Sequence, residues 1–466
     1  MNTRIEHDLL GDMAIPADAW YGIQTQRALD NFAITGVPIS HFPHFVKALA
    51  MVKAAAARAN RDLGLLAPEK AKAILAACDD IIGGRLHEAF VVDLIQGGAG
   101  TSTNMNANEV IANLALEKLG HAKGDYAHLH PNDDVNKSQS TNDAYPTAVC
   151  VGLQFAAEPL MDAIASLKRA LEAKGLEFAD VLKMGRTQLQ DAVPMTLGQE
   201  FDAFAVNLGE DIDRIREVCL LLCEVNLGGT AIGTGINTHP QYAKLAVRHL
   251  ADISGKPIVP AANLVEATSD MGAFVLYSGI LKRLAVKLSK VANDLRLLSS
   301  GPRTGLGEIF LPPMQPGSSI MPGKVNPVIP EAVNQVAYQV IGADLAVTLA
   351  AEAGQLQLNA MEPLIVYNLL NATQMLASAC HMLETRCIRG IRANREQCQR
   401  HVDTSIGVIT ALVPHIGYGN ATRIASTALM SGSTVRELVV AEGLLDHGQL
   451  DALLSPSSML APRTAA

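Results

Sequence analysis

Five long stretches of this chain repeat apolar residues every three or four positions, and that spacing constrains the fold more than any other feature. From about Pro146 to Leu176 the repeat runs through Val149, Leu153, Ala156, Leu160, Ile164, Leu167 and Leu171. Pro159 falls inside it and predicts a kink or a break between two helices, because proline lacks the N–H of the helical bond. A second stretch covers roughly 194–225. The third passes through Tyr277, Leu281, Leu284, Leu288, Val291, Leu295 and Leu298 and stops at Gly301-Pro302. The fourth covers roughly 330–353 and carries Asn334, Gln335 and Gln339 among Val and Ala, and the fifth covers roughly 362–389. Helices of about 25–30 residues are roughly 40 Å long. Such lengths suit a helix bundle, and no strand–helix alternation of the α/β kind appears. Helices this apolar pack on more than one neighbour, which points to burial in an oligomer.

The flanks differ from this centre. Residues 1–139 mix short helical pieces, such as 45–63 and Pro68–Ile82, with Gly-rich loops. Residues 140–394 hold the long helices. Residues 395–466 read as a small helical C-terminal domain, in which Thr434-Val435-Arg436-Glu437 fits a capping box and Gly443 a helix stop. The last segment, Ser455-Pro456-Ser457-Ser458 and then Pro462 onward, reads as a loose tail.

Composition narrows the function classes. Aromatics make up only 4%, so the core is built from Ala, Leu, Val and Ile, a mixture that favours helices. The net charge is −9 and no basic run occurs, which argues against nucleic acid as a partner. No apolar run reaches the ~18 residues of a membrane span. The first eight residues are polar and lack a signal-peptide pattern, so a cytoplasmic location is expected. The seven cysteines are odd in number and form no metal-type C-x-x-C, which predicts buried free thiols.

Four polar clusters stand apart from the apolar pattern. The segment from Gly317 through Ser318, Ser319, Ile320, Met321, Pro322, Gly323, Lys324 and Val325 to Asn326-Pro327 lies between two long helices. Its glycines predict a mobile loop that offers two hydroxyls, a cation and an amide. Ser138-Gln139-Ser140-Thr141-Asn142-Asp143 precedes a long helix, where free N–H groups and the helix dipole favour an anion. Gly185-Arg186-Thr187-Gln188-Leu189-Gln190-Asp191 reads as a second approach to a helix start. The stretch 97–108 holds Gly97, Gly98, Gly100, Thr101, Ser102, Thr103 and Asn104, but neither a P-loop nor a dinucleotide fingerprint. No His/Asp/Glu group has clear metal spacing, so no metal ligands are assigned. His128-Leu129-His130 with Asp133 comes nearest.

The string Gly317–Pro327 closely resembles the signature of the aspartase/fumarase superfamily, and the other three clusters fall where that family has its remaining active-site segments. The resemblance spans essentially the whole chain. Gln139-Ser140-Thr141-Asn142-Asp143-Ala144-Tyr145-Pro146, Gly185 through Met195, and Val325 through Gln335 resemble the aspartase branch. Class II fumarases, the alternative, typically carry a second Ser at position 141 and a different sequence after Pro327. A non-catalytic structural relative is a more remote alternative.

The resemblance implies a mainly α, three-domain fold whose five-helix bundle assembles into a twenty-helix tetramer core. It implies reversible anti elimination of ammonia from L-aspartate to give fumarate. Ser318 is then the base that removes the Cβ proton. Thr101, Ser140, Thr141 and Ser319 would hold the β-carboxylate, Thr187, Lys324 and Asn326 the α-carboxylate, and Asn142 the amino group. Gln188, where fumarases and some aspartases carry a His, joins the substrate-binding set. No organic cofactor is implied, although Mg²⁺ activates some aspartases. The expected partners are the small substrates and three further copies of the chain.

Overall fold

The structure, a computed structural model, describes residues 2–460. It opens with the hairpin β1–β2 (Thr3–Asp8, Gly11–Pro16), followed by α1 (Ile23–Asn31), α2 (Pro43–Asp62), α3 (Pro68–Ile82) and α4 (Thr101–Lys118). The first long apolar stretch is α5 (Thr141–Glu177). A second hairpin, β3–β4 (Leu182–Thr187, Gln190–Thr196), leads into α6 (Leu197–Leu221). Two-residue strands β5 (Glu224–Val225) and β6 (Val259–Pro260) bracket α7 (Tyr242–Ser254) and pair in parallel. Then come α8 (Leu264–Ala267), α9 (Gly272–Leu298), β7 (Ile309–Phe310), α10 (Val328–Glu352), α11 (Glu362–Arg386) and β8 (Arg392–Ala393). Six short helices close the chain: α12 (Arg395–Thr404), α13 (Ile409–Ile416), α14 (Tyr418–Ser431), α15 (Val435–Ala441), α16 (His447–Leu453) and α17 (Pro456–Leu460).

The molecule is thus mainly helical, and its sheets among the described residues are four two-stranded ribbons. Three details depart from the sequence reading. Helix α5 runs through both Pro146 and Pro159 as one element, so Pro159 does not break it into two helices. Leu153, Ala157, Leu160, Ile164 and Leu167 are fully buried along it. Burying each such leucine is worth about 1.5–3 kcal/mol, so together they offset the ~3 kcal/mol cost of an interior proline. By length and composition α5 could cross a bilayer, yet 61% of its most apolar window is buried inside protein.

The second departure is β3–β4. Residues 185–191 form an antiparallel hairpin, not the approach to a helix, and α6 starts only at Leu197. Thr187 pairs with Gln190 across a two-residue turn. Gln188 and Leu189 close that turn with φ of 53° and 62°. Two successive left-handed residues match the twist of a hairpin, but the usual Asn-Gly signal is missing. The third departure is the tail. Residues 456–460 are helical, and Met459 and Leu460 pack on a core of Leu182, Met184, Val402, Leu412, Ile424, Val439 and Leu450. Residues from Pro462 onward lie outside the described residues. The capping box at Thr434 and Glu437 is present, and Gly443 follows α15 with φ 68°.

The chain divides into two compact units. One comprises Met1–Asp162, Asp211–Val286 and Val336–Ala377, the other Ala163–Glu210, Lys287–Gln335 and Ser378–Ala466. In the first, α2 packs against α3, α4 and α7. Helix α1 has no side-chain cap of its own. Buried Glu109 on α4 supplies one, accepting N–H bonds from Gly22 at 2.8 Å, Gln24 at 2.9 Å and Thr25 at 3.1 Å. Burial pushes the Glu109 carboxyl up to about 7 against those N–H groups. In the second unit the β3–β4 hairpin packs against α12, beside the apolar cluster that α17 completes.

Candidate active site

The candidate residues fall into two groups, one in each unit. Thr101, Ser140, Thr141 and Asn142 belong to the first; Thr187, Gln188, Ser318, Ser319, Lys324 and Asn326 belong to the second.

In the first group, two helix starts are set by unusual backbone. Gly98, Ala99 and Gly100 all have positive φ, and α4 begins directly after them at Thr101. At Gly100 a Cβ would lie 2.6 Å from the Tyr145 ring, so only glycine lets α4 start there. The Thr101 hydroxyl donates to Gly98 O at 2.7 Å from an exposed position. Ser138, with φ 62°, turns the chain into α5 and donates to Asn60 Oδ1 at 2.7 Å.

The start of α5 is held from below by two buried charges. Asp143 is fully buried and accepts N–H bonds from Ser140 at 2.9 Å, Gly228 at 2.9 Å and Thr230 at 3.0 Å. It thereby ties Ser140 to the 226–230 loop. Asn226 Nδ2 donates to Asn142 O at 2.9 Å, and Asn142 Nδ2 donates to Ala231 O at 2.8 Å. The second charge is Lys53, 1% exposed on α2. Its Nζ donates to Asn104 Oδ1 at 2.6 Å, Gln139 Oε1 at 2.8 Å and Asn136 Oδ1 at 2.9 Å. Asn104 Nδ2 in turn donates to Thr141 Oγ1 at 3.1 Å. The cation thus orients an amide that positions a candidate substrate hydroxyl. Burial pushes Lys53 down to about 7 and Asp143 up to about 6. Three acceptors match the three N–H bonds of an ammonium, and this geometry favours the charged lysine.

In the second group, Gly317–Pro327 forms a loop with a tied neck. Gly317 N–H donates to Lys324 O at 2.9 Å, and Asn326 Nδ2 donates to Gly317 O at 2.7 Å. At Gly317 a Cβ would fall 2.3 Å from Lys324 O, so the neck requires glycine. Ser318 Oγ accepts N–H bonds from Ile320 at 3.2 Å and Met321 at 3.1 Å. Ser318 and Asn326 are half-buried, whereas Ser319 and Lys324 are exposed. Ile320, at 80% exposure, leaves the loop tip with an uncovered apolar surface. A cavity of about 380 Å³ is lined by Arg296, Ser300, Phe310, Lys324 and Asn326. Thr187 and Gln188 are exposed at the end of the β3–β4 hairpin.

That hairpin is anchored by buried charge. Glu308, fully buried, meets Arg186 Nη1 at 2.7 Å and His401 Nδ1 at 2.9 Å through Oε1. Its Oε2 faces Lys183 Nζ at 3.0 Å without hydrogen-bond alignment. Burial alone would raise this carboxyl, but Lys183, His401 and Arg186 outweigh it and hold the group below its ordinary range. Asp191 also accepts from Ser405 Oγ at 2.7 Å. Sequence reasoning named neither Lys53 nor Glu308. A lone lysine inside the apolar run Met51-Val52-Lys53-Ala54 was the available signal for the first.

Comparison with known proteins gives a consistent picture. A family model described as lyase matches residues 11–342, and one described as fumarase C C-terminus matches 408–461. The aspartate ammonia-lyase of Pseudomonas aeruginosa is 66% identical over 99% of this chain and 98% of its own length. That of Escherichia coli is 54% identical over 99% and 97%. Among solved structures, a fumarate lyase:delta crystallin from Brucella melitensis bound to cobalt is 61% identical, with a TM-score of 0.96 over 99% of this chain and 100% of that one. A class II fumarase from Schistosoma mansoni is 34% identical, with a TM-score of 0.93 over 99% and 100%.

The buried pair under α5 predicts a pH signature. Lys53→Met removes the ammonium donor from the Asn104 and Gln139 amide oxygens, while Asn136 Oδ1 keeps the Nδ2 groups of Asn104 and Asn108, and should cost at least about 2 kcal/mol in urea unfolding at pH 7. Lys53 sits near 7 in the folded chain and at 10.5 when free. Between those values the unfolded chain holds the extra proton, so stability gains with rising pH, by at most ~1.4 kcal/mol per unit. The Lys53→Met chain should lose that rise. Asp143 acts oppositely: its proton persists in the folded chain from 3.8 up to about 6, so its contribution is lost as pH rises through that window.

Proposed function

The chain belongs to the lyase family that includes the aspartate ammonia-lyases, and from that premise we propose that it catalyses the reversible elimination of ammonia from L-aspartate to give fumarate. The observation that carries this reading is the identity gap. Aspartate ammonia-lyases match at 54–66% over nearly the full chain, whereas the class II fumarase matches at 34% with the same fold.

The chemistry asks for a base at Cβ and for donors that stabilise the charge built on the β-carboxylate. Ser318 is the base. Two backbone N–H groups already point at its Oγ, the arrangement that favours an alkoxide over a neutral hydroxyl. The alkoxide takes the Cβ proton, the electron pair passes into the β-carboxylate as an aci-carboxylate, and its return expels ammonia from Cα on the opposite face. Thr101, Ser140, Thr141 and Ser319 hold the β-carboxylate. The dipole at the start of α5 supports this role, since it favours negative charge. Lys324, Asn326 and Thr187 hold the α-carboxylate, and Asn142 contacts the amino group. Gln188 completes the substrate-binding set with a neutral amide. Closure of the 317–327 loop covers its exposed tip and excludes water from these contacts.

The same reading makes the protein a cytoplasmic homotetramer, with each site drawing on three subunits. Exposed Leu276, Val286, Tyr338, Leu345 and Leu349 on α9 and α10 support burial against further copies. The elimination requires no organic cofactor. Mg²⁺ is assigned at most an activating role.

Purified protein offered L-aspartate should release fumarate, read by ultraviolet absorbance, and should release none from L-malate. Fumarate from malate alone would make it a fumarase. Ser318→Ala should lower kcat by at least about 10²-fold, in line with loss of a general base. Lys324→Ala should raise KM strongly, and an unchanged KM would remove Lys324 from the α-carboxylate.

A further inference from the structure

Just after α4, three side chains converge that the elimination does not use. His121 Nδ1 and His128 Nε2 lie 3.6 Å and 3.7 Å from the same atom, Asp125 Oδ2. The two imidazole rings stack, with centroids 3.8 Å apart and planes 15° apart. All three ligand atoms fall within 4.8 Å of one another. The carboxylate is too far from either nitrogen for a hydrogen bond. Around a tetrahedral ion, donors at ~2.0–2.1 Å stand about 3.4 Å apart, within a few tenths of an ångström of this spacing. The sequence had suggested His130 and Asp133 as partners for His128. Instead His130 Nδ1 accepts the N–H groups of Asn132 and Asp133 at 3.2 Å.

The backbone beneath the three side chains is fixed. His121 N–H donates to Leu116 O at 2.9 Å, and His128 N–H donates to Asp125 O at 3.1 Å. Gly124 N–H donates at 2.8 Å to Oδ1 of Asn113, a buried residue of α4. Tyr126, between Asp125 and His128, donates to Glu6 Oε1 at 3.3 Å. Because an ion lies in the plane of each imidazole that binds it, the two stacked rings must rotate out of their parallel arrangement to close on one ion with Asp125.

We propose that His121, Asp125 and His128 form a binding site for one divalent first-row transition ion of the Zn²⁺, Co²⁺ or Ni²⁺ type. Two imidazoles and one carboxylate suit these ions, whereas Mg²⁺ prefers all-oxygen ligands and keeps its waters. All three ligands are partly exposed, which leaves room for water at the remaining positions. The ion clips the segment after α4 into place and takes no part in the reaction. The site follows the far end of α4, roughly 25 Å along the helix from Thr101.

The test is calorimetric titration of tag-free, EDTA-treated protein with ZnCl₂, and separately with MgCl₂. The expected result is one Zn²⁺ per chain, binding at least about tenfold weaker in His121→Ala and His128→Ala, with no comparable Mg²⁺ binding. Zn²⁺ should raise the Tm of the unmodified chain and leave that of Asp125→Asn unchanged, because a ligand stabilises only the state that binds it. Fumarate formation by the three variants should match the unmodified chain. Absence of saturable Zn²⁺ binding, or equal affinity in both histidine variants, overturns the site. Loss of activity in folded, metal-free variants overturns the assignment of a purely structural clip.

Discussion

A helix that is apolar on more than one face cannot stand in water, and five such helices dictate this molecule. Each must be covered along most of its length. In the first unit the shorter helices α2, α3, α4 and α7 also pack on one another. Leu345 and Leu349 on α10 are exposed in the single chain, and the homotetramer proposed above would cover them. The same demand explains why α5 continues through Pro159. The local penalty of one proline is small beside a face buried over many turns.

Polar chemistry in such a frame is confined to helix ends and loops, and buried charges set where those ends lie. Glu109 caps α1, Asp143 holds Ser140 to the 226–230 loop, Lys53 aims Asn104 at Thr141, and Glu308 anchors the hairpin that carries Thr187. None of these charges is a cheap source of stability, since desolvation offsets most of the attraction. Their effect is to fix geometry. The 317–327 loop contrasts with them, for it is tied only at its neck and keeps its tip in solvent. The proposed elimination calls for a rigid set of donors for charge stabilisation and for a loop that closes to exclude water.

Much of this was legible from residue order alone. The spacing from Tyr277 to Leu298 fixed α9, and Gly301-Pro302 marked its end, because a 3.6-residue period survives any tertiary context that buries one face. The β3–β4 hairpin was not legible: Gln188-Leu189 closes a turn usually written with Asn or Gly, so the strands lacked their punctuation. The α17 helix was missed because Met459 and Leu460 gain their order from a distant apolar cluster rather than from local pattern. Of the site, hydroxyls and amides near helix starts could be recognised, but their division of roles came from resemblance. Lys53 shows in the sequence only as a lone charge in an apolar run, and its role was not legible because its partners Asn104, Asn136 and Gln139 lie more than fifty residues away.

The central claim is that one fixed base on the 317–327 loop exchanges the Cβ proton on a single face of the substrate. The most direct measurement runs the reaction backward, with fumarate and ammonia in D₂O, and reads the aspartate formed by proton NMR. The account predicts one deuterium at Cβ in a single diastereomer, with the deuterium and the amino group added from opposite faces. A mixture of the two diastereomers, or addition from the same face, would contradict it.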